Sequence, residues 1–547
     1  MNISVEQATV TMKSLYGWHI KSLGQVNCYL AGHGENYEKI ISQVLHDNDH
    51  QKKSVLLRNE KNFFSYVISS PDFIFACVDR IKSYPLFYGF DQYHHLFVSN
   101  CPYRVKEAAH LTRINLNAML EYSMASYVLG ENTLYESLYQ LQAGECLLWL
   151  REKKTVVMHR YYRYVPNPDN NINITTLKDE QSDVMDRVME RTITKAKGRP
   201  IWVPLSGGLD SRIIVAKLVE KKYDHIQTFS YGLPGNFEAQ KAKRVAQQLN
   251  VPWFFVSAQP RQAKKLYRDP KTQAYAQFTS ACHTVPGYME YEALMTLRKK
   301  QLIPDNAVII NGQSGDFVTG GHLPREVFYK PGVSVDDFFS ALIKKHGSCW
   351  HPLLTHDNLA YLKQTIMTAL PKTEDHLSLR DRLLAQYESW EWQERQCKAV
   401  IKGQRLYDWL ALDWDLPLWD PELMDFWQKV PFEWKIEQKL YINYLQEYNY
   451  KNVFSEMRCP AKPWVRKFSW IPVVAQLIGL LFGKEMKTAY YQRMYYYATD
   501  YYQYALIGRK YYLKHYKNAR GLGPFLLSHY LDSLGIIAQS KIAHTKP

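Results

Sequence analysis

Ser206-Gly207-Gly208-Leu209-Asp210-Ser211 combines the residue types and spacing needed for chemistry on an oxyanion. Two adjacent glycines let backbone N–H groups approach an anion with no Cβ in the way. Ser206 and Ser211 add hydroxyl donors. Asp210 has the wrong charge to touch phosphate and fits instead as a ligand for a Mg²⁺ that the phosphates also hold. The stretch is not Gly-x-x-x-x-Gly-Lys-Ser/Thr, so a kinase-type phosphate loop is not expected. The ligand it predicts is the pyrophosphate of a nucleotide.

Such a loop needs a strand before it and a helix after it. Ile201-Trp202-Val203 is a short apolar β-type run, and Ile213, Ile214 and Leu218 follow at helical spacing. The new helix turns its positive dipole end toward the loop. A helix is expected before the strand, over about 180–197, with Val184, Val188 and Ile193 apolar. After it, Ile226–Gly232 reads as a strand, Leu233–Asn236 as a turn, and Ala239, Ala242, Val245, Ala246 and Leu249 as one helix face. Val251–Val256 is a further strand. This alternation predicts a doubly wound parallel α/β sheet with ligands at the carboxyl ends of its strands. Ala307–Ile310 is one more buried strand. It delivers Asn311-Gly312-Gln313-Ser314-Gly315-Asp316-Phe317 to the same rim, where Asp316 is a second candidate metal carboxylate.

The first loop resembles the PP-loop of ATP pyrophosphatases, which adenylate a substrate and release pyrophosphate. The second resembles the other ATP loop of asparagine synthetases, which usually reads Gly-acidic-Gly-x-Asp-Glu. Here Gln313 stands at the acidic position and Phe317 follows the aspartate. The likeness continues through Glu394–Val400, Leu416–Phe426 and Lys435–Leu440, and covers roughly 60–455. It implies that Leu205 and Tyr231 border the adenine with Asn311 and Gly312 nearby, and that Ser206, Gly207, Gly208 and Ser211 hold phosphates. It implies that Asp210 and Asp316 hold Mg²⁺. The family's catalytic lysine falls on Lys439, with Lys435 as the neighbour that could be mistaken for it, and Gln313 takes the place of the residue that works near the acceptor. Asp415 stands where the family has arginine. The implied activity is ATP-dependent amide formation through an acyl adenylate, from a small-molecule carboxylate and ammonia or an amine. Asparagine formation is the generic form. Amidation or cyclisation of a sugar acid, peptide or secondary metabolite, and an inactive scaffold, are the alternatives.

Residues 1–165 read as β-rich. Phe63–Ile68 and Phe73–Val78 are strand-like around the turn Ser69–Asp72, followed by His95–Ser99 and Gln142–Trp149. Asp79-Arg80 ahead of Pro85-Leu86 and Tyr88 resembles the N-terminal domain of class II glutamine amidotransferases, an Ntn-hydrolase-like sandwich. An active domain of that kind begins with cysteine, whose own α-amine acts as base. Here Asn2 follows Met1, Cys28 lies far inside, and Arg58-Asn59-Glu60 is a poor echo of the glutamine-gripping motif. The expectation is a degenerate, structural domain, as in beta-lactam synthetases, with nitrogen coming from ammonia or an amine.

The chain has 547 residues, net charge +15, eight cysteines without Cys-x-x-Cys pairs, and 41 tyrosines. These numbers predict several domains with ample cores, no zinc or disulfide framework and a reducing, cytoplasmic setting. The opening residues lack a signal-peptide pattern. Val165–Asn173 reads as a linker, so the domains run 1–165, 180–455 and a helical, tyrosine-rich extension over 456–547. Phe468–Phe482 is apolar between basic residues and is expected to be a buried helix, with an anionic membrane surface as the alternative. The paired tyrosines beyond it are expected to pack on helices rather than stack on nucleic acid. A homodimer is a further expectation.

Overall fold

A computed structural model describes residues 2–32, 38, 42, 57–258, 260–457, 470–491, 494, 509–515 and 517–536. The class is α/β, with one antiparallel and one mixed sheet at the N-terminal end and a parallel sheet beyond them.

The N-terminal strands are β1 (Asn2–Ser4), β2 (Ala8–Val10), β3 (Trp18–Leu23), β4 (Val26–Gly32), β5 (Phe64–Ser69), β6 (Phe73–Val78), β7 (Phe87–Phe90), β8 (Leu96–Ser99), β9 (Leu138–Gln140), β10 (Glu145–Leu150) and β11 (Thr155–Arg160). They form a seven-stranded sheet ordered β1-β11-β10-β6-β5-β4-β3 and a four-stranded sheet ordered β2-β8-β7-β9. Side chains alternate across a strand, and β6 shows what that does here. Ile74, Ala76 and Val78 enter the core between the two sheets with Tyr88, Leu96 and Trp149. Phe75 and Cys77 face the other way, into a core that continues through Trp202, Ile310 and Trp427 of the second half. Asp79, buried at the end of β6, accepts from the backbone N–H of Phe64 (2.9 Å), Ile81 (3.0 Å) and Ser83 (3.0 Å) and from the Ser83 hydroxyl. The Asp-Arg pattern is thus used structurally at its aspartate. Its arginine, Arg80, reaches Asp425 of the second half at 2.6 Å.

The second half contains β12 (Ile201–Pro204), β13 (Ile226–Gly232), β14 (Trp253–Ser257), β15 (Val308–Ile310) and β16 (Asp413–Asp415). They make a parallel sheet ordered β14-β13-β12-β15-β16. Ile201, Trp202, Val203, Val308, Ile309 and Ile310 are all buried, as befits a sheet covered on both faces. The chain winds outward from β12 to β14 and then returns to the other side of β12 as β15. The loops after β12 and β15 therefore leave adjacent strands at the switch point, where such sheets bind ligands. The helix before β12 runs Ile174–Ala196, starting earlier than the sequence suggests because the Asn173 side chain caps it by accepting from Thr176 N.

One expectation about the tail fails. The described part of the apolar stretch, Trp470–Phe482, is helical but not a buried helix. Ile471 and Ala475 are buried, whereas Val473, Leu477, Leu480, Leu481 and Phe482 are more than half exposed. Gly483 (φ 84°) breaks the helix, and Lys487 folds back to donate to Gln476 Oε1 at 2.7 Å. The apolar residues Leu480–Phe482 thus sit at the tip of a short hairpin. No helix among the described residues is long and apolar enough to cross a membrane. Of the paired tyrosines, 495–497, 501 and 502 lie outside the described residues, while Tyr512 is buried against Phe525. The helix Gly523–Ser533 returns to the N-terminal half, where Leu527, Tyr530 and Leu531 share a core with Met119 and Tyr122. The hydroxyls of Tyr530 and Tyr103 meet at 2.8 Å.

Candidate active site at the carboxyl edge of the parallel sheet

Gly208 caps the helix Leu209–Glu220 in extended conformation, so the loop turns sharply from β12 into the helix. The two serines tie it in place before any ligand arrives. Ser206 N donates to Ser211 Oγ at 3.0 Å, Gly208 N donates to Ser206 Oγ at 3.1 Å, and the hydroxyls lie 3.2 Å apart. Arg212, fully buried, fixes the rear of the loop by donating to the carbonyls of Gly208, Val453, Glu456 and Met457.

The loop after β15 lies directly on this turn. A Cβ at Gly312 would stand 2.8 Å from the Asp210 carbonyl carbon and from Ser211 N, and one at Gly315 would stand 2.5 Å from Asp210 Cγ. Neither position tolerates a side chain without moving the aspartate. Asp316 N donates to Asp210 Oδ2 at 3.0 Å. Asp210 Oδ1 is buried and has no hydrogen-bond partner among the described residues. Burial, and then the charge of Asp316, push the Asp210 carboxyl up to about 7. A carboxylate held in that state beside a second one is short of positive charge, and this donor set fits a Mg²⁺ shared by Asp210 and Asp316. Asp316 stays low: burial raises it, but His322, donating from Nε2 at 3.0 Å, more than offsets that. His322 is in turn held by Glu391 at 2.5 Å and is pushed up to about 9, because those two carboxylates outweigh its burial.

Leu205, Ser206, Gly207, Gly208, Asp210, Ser211, Tyr231, Asn311, Gly312, Gln313 and Asp316 all line one cavity of about 1040 Å³. Lys439 does not. It opens the helix Lys439–Tyr448 immediately after Gln438, which does line the cavity, and it forms no ion pair among the described residues. Glu437 (φ 57°) and Gln438 (φ 61°) are both left-handed, a costly corner for such residues, of the kind found at functional sites. The glycines at 320 and 321 allow it: a Cβ on Gly320 would stand 2.4 Å from the Lys435 carbonyl oxygen. Lys435 is fully buried in an ion pair with Glu388 at 2.5 Å. Gln313 is neutral and accepts from Gln404 Nε2 at 2.7 Å. Asp415 turns away from the cavity, accepting from Thr192 Oγ1 (3.1 Å) and lying 3.7 Å from the Lys195 ammonium.

Sequence reasoning missed Glu290, Tyr407 and Lys402, which line the same cavity. Met289-Glu290-Tyr291-Glu292 reads only as an acidic helix start. It also missed the charged group behind Asp316, where Glu391 gathers His322, Lys345, His346 and Arg395. Within it, burial drives His346 down to about 4 despite Glu391; outside it, burial drives His283, beside Phe87, well below the usual histidine range. Both are neutral in the folded protein and bind protons once unfolded. Their contribution to stability is therefore complete above about pH 6.5 and is lost as pH falls toward 4. Each is expected to add a slope of about 1.4 kcal/mol per pH unit between pH 6.5 and 4.5. Denaturant unfolding across this range should show it, and His346→Gln should remove about one proton from the slope. An unchanged slope would mean that His346 is protonated in the fold.

The site is thus a glycine-rich loop at the switch point of a parallel sheet, faced by two aspartates. Residues 186–453 match the family model for asparagine synthase. Among solved structures, the chain is similar to the NH3-dependent NAD synthetase of Campylobacter jejuni (11% identity, 37% of this chain and 100% of that one, TM-score 0.20). It is also similar to the NMN synthetase of Francisella tularensis (12%, 48% and 95%, TM-score 0.19) and to the glutamine phosphoribosylpyrophosphate amidotransferase of B. subtilis (12%, 44% and 72%, TM-score 0.18). Superpositions this loose carry no functional weight. None of the curated proteins matches the chain.

Proposed function

We propose that this chain joins a carboxylate to an amine or ammonia, using ATP and releasing AMP and pyrophosphate. The match to the asparagine synthase family model supports ATP-dependent amidation in general. The observation that carries the reading is the contact of the two glycine loops, which puts Asp210, with its unpartnered Oδ1, beside Asp316 in one cavity with the phosphate loop. The substrate carboxylate attacks the α-phosphorus, forming an acyl adenylate, and the nitrogen nucleophile then displaces AMP. Gly207, Gly208 and the first turn of the helix Leu209–Glu220 bind the pyrophosphate through backbone N–H groups and the helix dipole. Mg²⁺ held by Asp210 and Asp316 would offset charge on the phosphates. Lys439, at the head of its helix, is assigned to the charge that builds on the adenylate as nitrogen attacks. Leu205 and Tyr231 border the adenine.

The nitrogen does not come from glutamine hydrolysed by a described thiol. Cys28, Cys77, Cys101, Cys146, Cys282, Cys349 and Cys397 are all buried. Burial pushes the thiols of Cys28, Cys77, Cys282, Cys349 and Cys397 up, the opposite of what a nucleophilic thiolate needs. With ATP and Mg²⁺, pyrophosphate release across a panel of carboxylic acids is expected with ammonium or amines present, and no glutamate from glutamine. Silence across the panel would sink the ligase reading; glutamate in step with product would sink the nitrogen assignment.

A further inference from the structure

Two cavity carboxylates, Glu238 and Glu290, meet neither a cation nor a neighbouring acid among the described residues; Glu238 is exposed, whereas Glu290 is held by hydrogen-bonding side chains. Its Oε2 accepts from the Tyr407 hydroxyl at 2.7 Å, and its Oε1 faces Asn311 Nδ2 at 3.4 Å. Among the described residues no cation pairs with it. Lys402, also in the cavity wall, turns its ammonium to Thr284 Oγ1 (3.0 Å) and the Val285 carbonyl instead. Two neutral donors do not compensate a desolvated carboxylate, whose cost is repaid by a pairing charge. Burial accordingly pushes Glu290 up to about 7. The residue also touches the loop that meets the phosphate loop. Asn311 precedes Gly312, which packs on the backbone of Asp210 and Ser211, so only one side chain separates Glu290 from the phosphate loop. On this side of the cavity the second loop offers the neutral Gln313, where the resemblance expects an acid. Tyr275, Gly287 and Met289 line the adjoining wall, and the cavity of about 1040 Å³ is at the upper end of what small-molecule sites reach.

We propose that Glu290, oriented by Tyr407 and Asn311, receives the ammonium group of an organic primary amine that is the nitrogen substrate. The inference rests on the amide-forming reading above and names its second substrate. Glu290 first pairs with R–NH3⁺, then takes one proton and leaves R–NH2. The nitrogen lone pair attacks the acyl carbon, the C–N bond forms, and the C–O bond to AMP breaks with its electrons leaving on the phosphate. The second N–H proton passes to solvent, so the step yields amide, AMP and two protons.

The carboxylate could instead serve the nucleotide, by accepting from an adenine amino group or a ribose hydroxyl, and the test separates the two. Butylammonium chloride is titrated by NMR into the full chain loaded with Mg²⁺ and α,β-methylene-ATP. Saturable binding is expected, weakened at least tenfold by Glu290→Gln, with the Kd of the ATP analogue changed less than twofold. Tyr407→Phe keeps the charge and loses only its orientation, so a smaller loss of two- to fivefold is expected, and thermal melts confirm that both variants fold. Butylammonium binding that is absent from the parent chain, or unaffected by Glu290→Gln, overturns the proposal. So does a Glu290→Gln loss confined to the ATP analogue. A parent chain that fails to bind the analogue at all brings down the ATP-dependent reading itself, whereas analogue binding without amine binding sinks only this inference.

Discussion

Asp210→Asn lowers pyrophosphate release by about a thousandfold or more and leaves the protein folded. The size follows from removing a charge that acts on the phosphates inside a shielded cavity, where one such group is worth about 10²–10³ in rate and the metal it would hold is lost with it. The folded state should not suffer. Asparagine keeps an acceptor for Asp316 N, whose bond to Asp210 Oδ2 joins the two loops. It also removes a buried negative charge that burial and Asp316 disfavour. The melting temperature is therefore expected to hold or rise. A pyrophosphate-coupled assay and a thermal melt on the same preparation decide it. Near-normal turnover would rule out the metal-ligand role. A loss of activity matched by unfolding would show that Asp210 matters only for the loop contact. Asp316→Asn should lose activity similarly, while also weakening its hold on His322.

The second large effect separates two lysines four positions apart. Lys439→Ala is expected to cut amide formation by about a hundredfold, the scale of one charge-stabilising group, with little change in melting temperature, because Lys439 forms no ion pair among the described residues. Lys435→Ala is expected to act the other way. Its ammonium is fully buried against Glu388 at 2.5 Å, and truncating it strands that carboxylate at a cost of about 3–5 kcal/mol. The double variant Lys435→Met with Glu388→Gln should recover much of that stability. Denaturant melts and amide yield on all three variants give the comparison. A stable Lys435→Ala protein that has lost only its activity would exchange the two roles and move the catalytic lysine to 435.

What was legible follows distance along the chain. The phosphate loop could be read because its strand, glycines, aspartate and helix are contiguous, and the second loop because it repeats glycine and aspartate after another buried strand. Their contact is a property of the sheet: only the return of β15 to the open side of β12 makes them neighbours. Glu290 and Tyr407 are 117 residues apart, and nothing local marks Met289-Glu290-Tyr291 as part of a cavity. Lys435 and Lys439 look alike in sequence, and the difference between them is made by Glu388, 47 residues earlier. The Trp470–Phe482 helix was misjudged for a related reason. Apolar composition states what a helix would gain by burial, but here Gly483 turns the chain back and leaves Leu480, Leu481 and Phe482 at a tip where few neighbours reach.

The face of the seven-stranded sheet that carries Phe75 and Cys77 has a consequence for how such a chain can evolve. That face is one wall of the core that holds Trp202 and Ile310, and Arg80 pins it to Asp425. Every mutation that loosens the front half's interior also strips cover from the second half, so selection on the second half alone preserves that interior. The two halves share one core, and a chain that kept only the second would begin by exposing tryptophans such as Trp414, which Phe63 and Tyr84 cover.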